Sequence, residues 1–217
     1  MKKSKVVIID YGIGNVKSIY NALLKIDATP ILTSDKKAIT NADKVILPGV
    51  GAFKSGMDNL RSKNLDETIY EFIRLGKPLL GICLGMQMLF EESEEFGPSE
   101  GLGLIKGSII KFPLEDTYPT LGLKLPHVSW NNINNIQLLN WANTIFDQIN
   151  EGVDVYFVHS FIANPKNKEN ILATTNYGGV DFCSAVKSDN IYGVQFHPEK
   201  SGEIGLRILN NFANLKN

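Results

Sequence analysis

In the first half of the chain, apolar and polar positions alternate between two periods. "KVVIID" (5–10) is a continuous β-branched run ending in turn chemistry, the pattern of a parallel strand buried on both faces. "NVKSIYNALLKID" (15–27) spaces Val16, Ile19, Leu23 and Ile26 along one helical face. "ATPILTSD" (28–35) predicts a second strand, and "ADKVILPGVGAF" (42–53) a third that runs into a glycine-rich turn. "KSGMDNLRSKNLDETIYEFIRLG" (54–76) predicts helix with a break near Asn64. "KPLLGI" (77–82) predicts a fourth strand and "LGMQMLFEES" (84–93) the helix after it. Strands alternating with helices imply a parallel, doubly wound sheet with right-handed crossovers.

The second half changes period. "GLGLIKGSIIKF" (101–112) and "LKLPHVSWNNI" (123–133) predict short strands punctuated by Gly and Pro. "WANTIFDQI" (141–149) is a helix candidate. "DVYFVHSFIA", "ILATTNYG", "VDFCSAVKSDN" and "IYGVQFHPE" predict four strands joined by tight loops. The last helix is apolar at Ile204, Leu206, Ile208, Leu209 and Phe212. With no repeat, low-complexity tract or linker, the expected architecture is one α/β domain over 1–217, a mixed, mostly parallel central sheet flanked by helices. The region 113–126, with three prolines, is the most variable-looking stretch.

Composition narrows the function classes. A formal net charge of −1, with 21% charged residues, argues against a highly basic nucleic-acid binder. The opening "MKKSKVVIIDYG" has only four apolar residues before Asp10, too short for a signal-peptide core. Nowhere does the chain approach the roughly 20 apolar residues of a membrane span. The expected location is the cytoplasm, where Cys83 and Cys183 are free thiols. No cofactor signature or metal-ligand cluster is legible.

Chemistry concentrates at "GICLG" (81–85). A strand running into a one-residue elbow and then a helix puts Cys83 on a sharp turn above the carboxyl edge of the sheet. This is the cysteine counterpart of the G-x-S-x-G elbow. The positive end of the following helix favours thiolate. The plainer alternative is a small core cysteine flanked by incidental glycines. A nucleophilic cysteine needs a base, and the base an orienting partner. In "QFHPEK", His197 ends an apolar strand and Glu199, two residues on, points the same way. Glu199 is thus placed to accept from one ring nitrogen while the other faces the thiol. The alternative for His197 is a surface loop histidine. Oxyanion donors are expected from the Leu84 N–H and from the glycine-rich "LPGVGAF", around Gly49 and Gly51. "YGIGN" (11–15) lacks the third glycine of a dinucleotide fingerprint and is read as a turn that shapes the site.

"GICLGMQ", "QFHPEKS" and "LPGVGAF" together resemble the class I glutamine amidotransferases. "DYGIGNVKSI", "GLGLIKGSI", "LPHVSWN" and "YFVHSF" extend the resemblance, over nearly the whole chain, to the glutaminase subunits of imidazole glycerol phosphate synthase. The resemblance implies that Cys83, His197 and Glu199 form a Cys-His-Glu triad that hydrolyses L-glutamine through a thioester. It implies that Gln87 and Glu95 bind glutamine, with Glu94 an open alternative to Glu95. It implies that Gly49, Val50 and Gly51 form an oxyanion strand, and that Gly51, Ser160 and Phe161 supply backbone contacts. Gln87 lies four residues after Cys83, on the same helix face.

The resemblance further implies a heterodimer with a (βα)8-barrel cyclase subunit, which receives the ammonia, and no cofactor. Trp130, Asn131, Tyr156 and His159 would face that partner; taken alone, Trp130 and Tyr156 read as core aromatics and His159 as a buried histidine. Ser129 stands where the family carries glycine, and "HSFI" replaces "HSYY" at Phe161 and Ile162. These departures keep open a paralogous protein that feeds a surface-glycan synthase. A non-catalytic binding module and a cysteine peptidase are the readings from other classes.

Overall fold

The computed structural model describes residues 4–113, 124–136 and 140–215. The apolar runs of the first half form β1 (Lys5–Ile9), β2 (Thr29–Thr33), β3 (Lys44–Leu47) and β4 (Leu79–Ile82), parallel and in the spatial order β2-β1-β3-β4. β13 (Ile191–Val194) extends this parallel half beside β4, with Val194 opposite Ile82. Val6 to Ile9, Val45 to Leu47, and Leu79 and Leu80 are fully buried, as strands covered on both faces must be. On one face pack α1 (Val16–Lys25) and α6 (Gly202–Asn214). On the other pack α2 (Lys36–Thr40), α3 (Phe53–Ser62) and α4 (Leu65–Arg74). The break between α3 and α4 falls at Asn64, which adopts a left-handed conformation (φ 50°, ψ 41°).

Beyond β13 the sheet continues through β12 (Val180–Ser188), β10 (Phe161–Pro165), β7 (Ile105–Lys111), β5 (Phe90–Ser93) and β6 (Ser99–Glu100), and β11 (Ile171–Tyr177) pairs with β12. β12 and β10 are antiparallel to their neighbours, so the sheet is mixed. A second, two-stranded sheet pairs β8 (His127–Ile133) with β9 (Val153–His159).

Several elements differ from the pattern-based expectation. The helix expected over 84–93 is a single turn, α5 (Leu84–Gln87), after which the chain extends into β5. Tertiary pairing overrides propensity there. Leu102 N–H donates to the Met88 carbonyl and Gly103 N–H to that of Phe90. A Cβ on Gly101 would lie 2.1 Å from the Phe90 oxygen, so only glycine permits that approach. Residues 141–149 form turns rather than a helix. Asn143 and Gln148 take positive φ, and the Thr144 hydroxyl donates to the Trp141 carbonyl at 2.6 Å, which diverts the backbone from helical bonding. The expected strand 154–163 is two strands in different sheets, divided at Ser160. Unanticipated elements are β6 and α2; Asp35 caps α2 by accepting from Ala38 N–H at 2.7 Å. Of the proline-rich stretch, 114–123 lie outside the described residues.

Candidate active site

Parallel strands that end side by side deliver their following residues to one edge of the sheet. β3 runs into Pro48–Gly51, β4 into Cys83, and β13 into Gln195–His197. Cys83 N–H donates to the Val194 carbonyl at 2.8 Å, which locks the two central strand ends together. Cys83 itself has φ 54° and ψ −111°, a backbone conformation that costs a non-glycine residue about 1–3 kcal/mol. The flanking glycines permit the elbow. A Cβ on Gly85 would lie 1.9 Å from the Leu47 carbonyl oxygen, and one on Gly81 2.7 Å from the Gly85 carbonyl. Because the obstructing atoms are backbone, Gly85→Ala is expected to cost about 3 kcal/mol, measured by urea unfolding. A loss under about 1 kcal/mol would show that the elbow relaxes easily.

His197 is 2% exposed, and its Nδ1 lies 2.8 Å from Glu199 Oε1. The side chain of Glu199 is 1% exposed. His197 Nε2 is buried without a partner of hydrogen-bond geometry among the described residues. Burial opposes a charge on the ring. The Cys83 sulfur and the Glu199 carboxylate outweigh that and push the His197 pKa up to about 10. Cys83 faces the ring closely enough to raise its pKa, in a contact short of full hydrogen-bond geometry. Cys83 Sγ is instead 3.9 Å from the Val158 carbonyl and 3.8 Å from Gln195 Nε2.

Cys83 and His197 open into a cavity of about 460 Å³ whose lining includes Val50, Gly51, Leu84, Gln87, Glu95, Ser160 and Phe161. Gly51 has φ 101° and an open flank, and Gly49 is packed so tightly that a Cβ would meet Tyr11 Oη at 2.6 Å. The Tyr11 hydroxyl donates to the Pro48 carbonyl at 2.7 Å, so the "YGIGN" turn braces the loop after β3. Gln87 gives its amide hydrogens to the Phe161 carbonyl (3.2 Å) and Gln195 Oε1 (3.1 Å), which leaves its own oxygen as an acceptor. Glu95 lines the cavity and accepts from Phe53 N–H at 2.7 Å, whereas exposed Glu94 is turned away to Lys111 N–H. The geometry thus separates two carboxylates that spacing could not. Gln195, which sequence reasoning missed, touches both Cys83 and Gln87; its signal is its place just after the apolar run of β13 and two residues before His197.

Of the four residues expected to face a partner, Trp130 is 53% exposed and Tyr156 and Asn131 are half-buried. Trp130 packs edge-on to Tyr156, and Lys200 Nζ sits 5.6 Å over the Tyr156 ring. His159 is 6% exposed, pairs with His127, and turns its small exposed area to the cavity that Cys83 and His197 line. The helix after Cys83, expected to bring a positive dipole end to it, is a single turn of four residues, too short to carry much macrodipole. Cys183 is a free, buried thiol whose pKa burial raises. Among the described residues there is no cluster of His, Cys, Asp and Glu suited to a metal ion, and no helix long and apolar enough to cross a membrane.

The sequence profile of the family described as glutamine amidotransferase class-I matches residues 7–215. The chain is 46% identical over 213 residues to "Imidazole glycerol phosphate synthase subunit HisH 1" of Legionella pneumophila (strain Lens), an alignment that covers 98% of this chain and all of the relative. It is 44% identical to the HisH protein of the same synthase from Geobacter metallireducens, over 96% of this chain and 97% of that one. Among solved structures, PurLQS from Thermotoga maritima superposes with a TM-score of 0.74 at 21% identity, covering 98% of this chain and 99% of that one. The glutaminase domain of CTPS from Trypanosoma brucei gives 0.63 at 16% identity, over 99% and 96%; both show likeness of fold.

Proposed function

Because the chain belongs to the class I glutamine amidotransferases, and within them to the HisH subunits of imidazole glycerol phosphate synthase, we propose that Cys83, His197 and Glu199 carry out its glutaminase reaction. The chain is the component that releases ammonia from glutamine for histidine biosynthesis. The observation that carries the residue assignment is the convergence of Cys83 and His197 at adjacent parallel strand ends, with His197 Nδ1 bonded to Glu199.

In this reading His197 Nε2 already carries the Cys83 proton, and the thiolate attacks the side-chain amide carbon of glutamine. The negative oxygen that forms is met by Leu84 N–H and the Gly49–Val50–Gly51 strand. His197 then protonates the leaving nitrogen, which departs as ammonia and leaves a thioester. Water, deprotonated by His197, splits the thioester to glutamate and restores the thiol. Glu199 keeps the ring oriented and offsets its charge. Gln87, through its free oxygen, and Glu95 hold the substrate's α-amino group, and the Ser160 and Phe161 backbone closes the far wall. The ammonia goes to a (βα)8-barrel cyclase docked at the Trp130, Asn131 and Tyr156 face, which makes imidazole glycerol phosphate and aminoimidazole carboxamide ribonucleotide. The complex works in the cytoplasm.

The test is glutamate release by the chain alone and with the cyclase of the same organism, with and without the cyclase's ribonucleotide ligand. Strong activation in the ligand-loaded complex is expected. A chain that forms no complex and gains no activity would overturn the partner assignment; a chain whose Cys83 is also inert to a glutamine-analogue electrophile would overturn the triad.

A further inference from the structure

Beneath the strand face that exposes Val128 and Trp130 runs a line of hydrogen bonds that the reaction above does not use. Ser129 Oγ is 2.8 Å from His127 Nε2, His127 Nδ1 is 3.0 Å from His159 Nε2, and His159 Nδ1 is 3.0 Å from the Phe161 carbonyl oxygen. The same carbonyl accepts from Gln87 Nε2. A carbonyl only accepts, so one end of the line fixes every proton in it. His159 donates from Nδ1 and accepts at Nε2; His127 donates from Nδ1 and accepts at Nε2; the Ser129 hydroxyl must donate. The assignment requires both rings neutral. Burial lowers the His127 pKa to about 4, and burial together with His127 lowers that of His159 to about 3. The rings cannot easily turn, since His127 stacks on Tyr177 with centroids 3.8 Å apart and His159 packs against Phe112 and Phe182.

We infer that Ser129 is a positioning residue for glutamine: through two neutral histidines it holds the Phe161 carbonyl, and with it Gln87, in the geometry that receives the substrate. Phe161 and Gln87 both line the cavity that Cys83 opens into, so the line ends at the pocket wall. Its head is the Ser129 hydroxyl, so the line is closed by a side chain and not by the backbone. The inference rests on the proposed glutaminase reading for its kinetic consequence, but not for its hydrogen bonds.

Two measurements on the whole protein decide it. In long-range proton–nitrogen correlation spectra of the 15N-labelled chain, His127 and His159 are expected to be neutral, to carry Nδ1–H, and to stay unchanged from about pH 5.5 to 8. A proton on Nε2 of either ring, or titration in that range, overturns the assignment. In the complete synthase, Ser129→Ala is expected to raise KM for glutamine about fivefold with kcat within about twofold, and Ser129→Thr to restore it. An unchanged KM in Ser129→Ala, or Ser129→Thr as impaired as Ser129→Ala, overturns the positioning role. Should Ser129→Ala not fold, the wild-type tautomers and Ser129→Thr decide. A wild-type synthase that releases no glutamate would sink the glutaminase reading, while the spectra would still rule on the histidine line.

Discussion

Cys83→Ala is expected to reduce glutamine-dependent synthesis by about four orders of magnitude or more, because the proposed thioester needs the Cys83 sulfur. Ammonia-dependent synthesis by the cyclase should stay near the wild-type rate, since that chemistry uses none of the residues around the elbow. The division is sharp because the substitution is small. Alanine keeps the Cβ, the flanking Gly81 and Gly85 keep the turn, and the backbone bond from residue 83 to Val194 survives. The measurement is a pair of rates, one with glutamine and one with ammonium salt at high pH, on the same purified complex. Loss of both in a correctly assembled complex would contradict the split of labour.

The second large effect is expected at the base. His197→Ala should lower glutamate release by about three orders of magnitude, whereas Glu199→Gln should cost about one to two. The asymmetry follows from what each variant keeps. Glutamine at 199 retains an oxygen for the His197 Nδ1–H, and Glu199 Oε2 has no partner among the described residues that would force the amide to present nitrogen instead. Only the charge is lost. An equal or larger loss in Glu199→Gln would show that the carboxylate does more than orient.

A stability readout accompanies this one. The His197 pKa is raised in the folded protein, so the stability it contributes is complete below about pH 6.5 and fades as pH climbs toward about 10. The stability difference between wild type and His197→Ala should therefore shrink with rising pH across that window, measured by urea unfolding. A constant difference would mean that the ring is neutral in the fold.

Much of this arrangement is legible without coordinates, for reasons that differ by element. The buried parallel strands announce themselves as unbroken β-branched runs, because a strand covered on both faces has no polar alternation to hide it. The elbow is legible because Gly81, Cys83 and Gly85 fall within five consecutive residues at a strand end. His197 and Glu199 are legible because they lie two apart in sequence, although the chain between them forms a 3-10 turn at Pro198–Lys200 after β13 and not the strand end expected. What stays hidden depends on contacts remote in sequence. Nothing local tells that Phe90 leaves a helix to pair near Gly101, or that Asn143 and Gln148 turn left-handed and break the helix expected at 141–149. Glu94 and Glu95 are neighbours with the same chemistry, and only the positions of Phe53 N–H and Lys111 N–H tell them apart. Gln195 passes as one more strand residue, because its meaning lies in Cys83, more than a hundred positions away. The pairing of His159 is hidden too, because it depends on His127, a residue remote from it in sequence and on another strand.

The left-handed backbone at Cys83 sets two selective pressures against each other at one codon. Folding alone would favour glycine there, which takes that conformation freely, while the chemistry demands a thiol. With Cys83 as the proposed nucleophile, the reaction is what keeps cysteine at this position. In a descendant that kept this fold as a scaffold but gave up glutamine hydrolysis, residue 83 would be among the first to drift, and glycine would be its resting point.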